Sequence, residues 1–169
     1  MVATTGDIRT ISEVDESRLK LGTGLMTVAA IGFVGYAVIF FVLNFTDSFL
    51  ELGIGPNEVD VGRSEIQAFS PSLFHYVSHL QIALSGFIAA TGVAVAALAW
   101  FGARRGHMWA WVAAVGASVL ALAVALPAHY PWNLDTFGHL GLIYGAVVIF
   151  VIGAFGALPA LLKGSRSGR

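Results

Sequence analysis

Residues 70–101 read SPSLFHYVSHLQIALSGFIAATGVAVAALAWF. From Leu80 to Phe101 this stretch carries no ionisable side chain. Ser70 can cap a helix, and Pro71 at the first helical position gives up no needed hydrogen bond. Residues 77–101 are apolar on every face. They exceed the roughly 20 residues that cross a bilayer core as a helix. Three further runs of the same kind cover residues 23–45, 109–126 and 138–162. A membrane β-barrel needs segments of about ten residues with alternating polarity, and these runs are too long and too uniform for that. The expected fold is an all-α integral membrane protein. It is a four-helix transmembrane bundle, one domain over 1–169, with a polar leader at 1–20 and a long loop at 46–70.

Composition agrees. Hydrophobic residues make up 57% of the chain and charged residues 11%, with a mean hydropathy of +0.80. A soluble domain is about 45–50% apolar and about 25% charged. The first apolar run lies behind the polar leader and ends Val42-Leu43-Asn44-Phe45-Thr46 with no small-residue cleavage site. It is therefore expected to remain as a helix rather than be removed as a signal peptide. Ser12-Glu13-Val14-Asp15 has capping-box character with Asp in the Glu position, so the leader reads equally well as a short helix running into the first span or as a frayed tail.

Lysine and arginine set the expected orientation. Arg9, Arg18 and Lys20 precede the first span, Arg104 and Arg105 join the second to the third, and Lys163, Arg166 and Arg169 follow the fourth. Only Arg63 falls in the other compartment. This bias predicts both termini in the cytoplasm and the loops at 46–76 and 127–137 outside. The expected location is the cytoplasmic membrane of a prokaryote. The net charge of −1 and the absence of any basic patch beyond these anchors predict no nucleic-acid partner. Cysteine is absent, which excludes thiol redox chemistry, thiolate metal sites, disulfides and covalent c-type haem.

Small residues line the expected helices: Gly32, Gly35, Gly86, Gly92, Gly141, Gly145, Gly153 and Gly156, with an Ala-rich third span. Such residues let helices approach closely in lipid, within one chain, in a homo-oligomer or against another membrane protein. Tyr76, Tyr130 and Trp132 suit an outer aromatic belt, and Trp100, Trp109 and Trp111 an inner one. The loop at 46–70 holds Asp47, Glu51, Glu58, Asp60 and Glu65 beside apolar residues such as Phe49, Leu50, Leu52 and Phe69. That mixture predicts a lid folded over the outer end of the bundle.

The best lead to function is histidine. His75 and His79 open the second apolar segment, His129 closes the third, and His139 opens the fourth. Four spans place all of them at one membrane edge. His75 and His79, four apart, share a helix face. Asp135 or Thr136 can cap the fourth helix, and Asp135, four residues before His139, also suits a metal ligand or a group that orients an imidazole from behind. The candidate metal ligands are thus His75, His79, His129, Asp135 and His139. Imidazole with carboxylate suits zinc, copper, iron or nickel. His79 and His139 also form the natural pair to clamp a haem b. His79, His129 and His139 are expected to converge beneath the 46–70 loop. Taken singly, each histidine is more often an interfacial polar anchor; it is the clustering that argues for a site.

Other chemistry is missing. The inner parts of the spans carry no deep ionisable group of the kind that relays protons or ions. No phosphate loop, dinucleotide fingerprint, nucleophile elbow or zincin motif occurs. Two function classes remain. One is a protein whose outer-face His/Asp cluster binds a transition metal or haem b in a redox or accessory role. The other is a structural subunit of a larger membrane complex, with no cofactor of its own.

Overall fold

The computed structural model describes residues 5–167, and among these it contains helices and no strand. Helix α1 spans Thr5–Leu43. Two short helices, α2 (Pro56–Val59) and α3 (Arg63–Phe69), lie in the connection to α4 (Pro71–Ala97). Helix α5 covers Met108–Ala125 and α6 covers Phe137–Ser167. Four segments are long and apolar enough to cross a membrane: Asp15–Leu43, Pro71–Arg105, Met108–Trp132 and Phe137–Gly164. The backbone of α1 is helical from Thr5 onward, so a helix start at Ser12 is not used.

The ends of the long helices follow local chemistry. Ser70 caps α4 by accepting the Leu73 N–H at 3.2 Å, with Pro71 in the first turn. Thr136 rather than Asp135 caps α6, its Oγ1 accepting the His139 N–H at 3.3 Å. Pro127 stands in a 3₁₀ turn, Leu126–Ala128, where α5 stops. Between α4 and α5 the chain tightens through a 3₁₀ turn at Ala103–Arg105 and reverses at Gly106, whose φ is +87°.

Helix α1 is the central element, flanked by α4 and α6. The glycines explain how closely. A methyl group added at Gly22 would lie 2.6 Å from backbone atoms of Gly153 and Ala157 in α6. One added at Gly92 of α4 would lie 2.9 Å from the Ala30 carbonyl of α1. These backbones touch, which is the packing expected where lipid removes the usual hydrophobic drive between helices. Gly32, Gly35, Gly86 and Gly145, by contrast, face open space. A cluster including Met26, Ala30, Val95, Ala114, Phe150 and Ala154 fills the middle of the bundle. The Trp111 indole N–H donates to the Ala154 carbonyl at 3.1 Å and ties α5 to α6. Phe87, Val124 and Phe155 point outward and are largely exposed. That exposure is unfavourable in water and natural against lipid.

At one end of the bundle Lys163 pairs with Asp15 at 2.8 Å, and Arg104 donates to the Lys20 carbonyl at 3.1 Å. Charges therefore knit the helix ends there. The connection between α1 and α4 occupies the opposite end, with all the candidate ligands.

Candidate metal centre

The α1–α4 connection is pinned by Phe49. Its side chain is fully buried and stacks on Phe74 with ring centroids 4.7 Å apart. The Arg63 guanidinium lies over both rings, 5.5 Å from Phe49 and 5.0 Å from Phe74. Arg63 also donates to the carbonyls of Asn44 and Thr46, at 3.0 and 3.2 Å, closing the end of α1. The backbone at Phe49 has φ +49°, a conformation that costs a bulky residue on the order of 1–3 kcal/mol. Complete burial of an aromatic ring recovers a comparable amount. The turn thus made carries the chain back over the bundle, with Glu51 and Leu52 directly after it.

Gly53 completes the docking. Its φ is +75°, and a side chain there would overlap the backbone of Gly138 and His139 at the start of α6. This close approach sets the Leu52 carbonyl 2.8 Å from Nδ1 of His139. A carbonyl only accepts, so Nδ1 carries the proton and donates it. With Nδ1 as the donor, the lone pair of an uncharged ring lies on Nε2. That nitrogen lies 3.4 Å from Oε2 of Glu51, and His139 is only 1% exposed.

His129 has the same arrangement. Its Nδ1 lies 3.0 Å from the Ala125 carbonyl and 3.3 Å from that of Leu126, so it too donates to backbone and leaves Nε2 as the lone-pair nitrogen. The two imidazole centroids are 5.0 Å apart. One ligand atom each from Glu51, His129 and His139 lies within 4.8 Å of the other two. The same oxygen, Oε2 of Glu51, also accepts from the Tyr36 hydroxyl of α1 at 3.5 Å.

A metal cation placed between Nε2 and the carboxylate would be held by both. Metal-bound histidines regularly donate their second N–H to a backbone carbonyl or carboxylate, and ligating carboxylates are themselves hydrogen-bonded. Both histidines and Glu51 have those supports. Bonds of about 2.0–2.1 Å in a tetrahedral zinc site put neighbouring ligand atoms about 3.3–3.4 Å apart. The Glu51–His139 edge has that length.

The other residues singled out from the sequence lie elsewhere. His75, His79 and Asp135 are exposed and stand outside this group of donor atoms. His75 neighbours the Phe74 ring, with centroids 5.7 Å apart. Sequence reasoning grouped Glu51 with the loop acids and passed over Tyr36. The available signal was the context of Glu51, an acid held between Phe49, Leu50 and Leu52. No known protein family, no curated protein and no solved structure matches this chain.

Proposed function

We propose that the chain is a four-span membrane protein holding a divalent transition metal between Glu51, His129 and His139. The supporting observation is that both histidines give Nδ1–H to backbone carbonyls, which leaves two Nε2 lone pairs and a carboxylate as the donor set. Two imidazoles and one carboxylate are the ligands of hydrolytic zinc sites and of non-haem ferrous sites. Three protein ligands leave coordination positions for water or substrate, so the site suits catalysis or electron transfer better than a purely structural role.

The lysine and arginine distribution supports both termini inside, with the 46–70 segment as an outer lid over the metal. Haem b gains little from this geometry, since His79 is exposed and Nε2 of His139 meets Glu51. The structural-subunit reading draws on α5, whose span is only 11% buried within the chain. A partner helix could cover it without disturbing the metal.

The test is direct. Protein purified in detergent and stripped with chelator is titrated with zinc, and with ferrous iron under anaerobic conditions. One metal per chain is expected, with X-ray absorption showing two imidazole ligands. Failure of both metals to bind stoichiometrically would leave Glu51 and His139 as an ordinary carboxylate–imidazolium pair and defeat the proposal.

A further inference from the structure

A pocket of about 260 Å³ adjoins the three ligands. Leu50, Ile54, Val61, Ile66 and Val77 give it an apolar wall, and Glu51, His129 and His139 line its polar part. Gln81 of α4 also lines it. The Gln81 side chain is only 8% exposed, and its Oε1 is buried without a hydrogen-bond partner among the described residues. Such an orphan is costly, and buried polar groups in folded proteins are otherwise nearly always paired.

From these observations we infer that the pocket is a binding site for a small apolar molecule bearing one hydroxyl group. Gln81 receives that hydroxyl. The amide nitrogen and oxygen exchange places by a half-turn of the last side-chain torsion. A hydroxyl both donates and accepts, so it pairs with whichever amide atom the torsion turns towards the pocket. The aliphatic wall takes the rest of the molecule. An apolar cavity of about 150 Å³ accommodates a benzene ring, so this pocket holds one ring with a short substituent, or an aliphatic chain of similar bulk. The inference rests on Gln81 and the pocket wall. It stands whether or not a metal occupies the neighbouring ligands.

The experiment uses chelator-stripped full-length protein in detergent, with 4-fluorophenol and fluorobenzene as probes. Binding is followed by fluorine NMR and corrected for micelle partition using protein-free micelles. Val77→Trp, which fills the pocket, marks the specific part of the signal. One neutral hydrogen bond predicts that 4-fluorophenol binds about three- to tenfold more tightly than fluorobenzene. Gln81→Met keeps the side-chain length and removes the amide, so it should bind both probes equally. Gln81→Leu serves in its place should the methionine variant not fold. Equal affinity of the wild-type chain for the two probes would mean that water satisfies Gln81, and the inference would fall. So would a phenol preference that survives loss of the amide, or binding that Val77→Trp leaves untouched. A zinc titration of the same samples reads the metal proposal separately, because neither Gln81 nor Val77 is among its ligands.

Discussion

Glu51 and His139 are 88 positions apart in the chain, and their side chains meet at 3.4 Å because a two-residue backbone contact, Gly53 on Gly138, holds the loop against α6. The carboxylate comes from a loop and the imidazole from a rigid helix. The loop also supplies the Leu52 carbonyl that fixes the imidazole's tautomer. The proposed metal ligand, Glu51, and the orienting carbonyl of Leu52 thus sit side by side on one strap.

Glu51→Gln and His139→Ala should separate metal binding from stability. Glu51 is partly exposed, so the glutamine keeps the fold and weakens zinc binding at least about 100-fold, more than loss of an outer-shell partner does. His139 is buried, and its removal also leaves the Leu52 carbonyl unpaired, at about 1–3 kcal/mol of stability. Calorimetric titration with zinc, beside thermal unfolding in detergent, reads both effects. Equal losses of stability in the two variants would contradict this division.

Gly53→Ala should loosen the strap. An alanine is strained by the left-handed backbone, and its methyl group overlaps Gly138. The expected cost is about 1–3 kcal/mol. Limited proteolysis should then cut the 46–70 segment faster, and zinc affinity should fall although no ligand has changed. Unaltered cleavage and affinity would mean that the docking contact is not needed.

The glycines divide into two classes with opposite expectations. Gly153→Val pushes α6 away from α1 at Gly22 and should cost several kcal/mol or prevent folding. Gly145→Ala points into open space and should gain up to about 1 kcal/mol from helix propensity. Unfolding in mixed micelles ranks the two.

Orientation can be mapped cleanly because the chain has no cysteine of its own. An impermeant maleimide applied to intact cells should label Asn57→Cys and should reach Ser17→Cys only after permeabilisation. The reverse pattern would turn the site towards the cytoplasm.

Much of the fold was legible in the chain itself, because a long apolar run has few alternatives. In lipid every backbone polar group must pair within its own segment, so such runs become helices whatever their neighbours do. Ser70 and Pro71 marked a helix start through purely local bonds, and they read correctly for that reason. Asp135 and Thr136 were equally good caps by residue type; only the final backbone path gave the position to Thr136. Four histidines at one membrane edge followed from span counting alone, but which of them meet did not. Helix rotation decides that, and rotation is set by where α1 touches α4 and α6, at Gly22, Gly92 and Gly153. It turns His139 into the protein and leaves His79 exposed. Glu51 was the least legible member, since a loop residue has no periodicity to place it. Its position depends on a buried Phe49 with a left-handed backbone, an arginine across two aromatic rings and one glycine with no room for a side chain. Those are contacts between distant parts of the chain, and they exist only once the helices have packed.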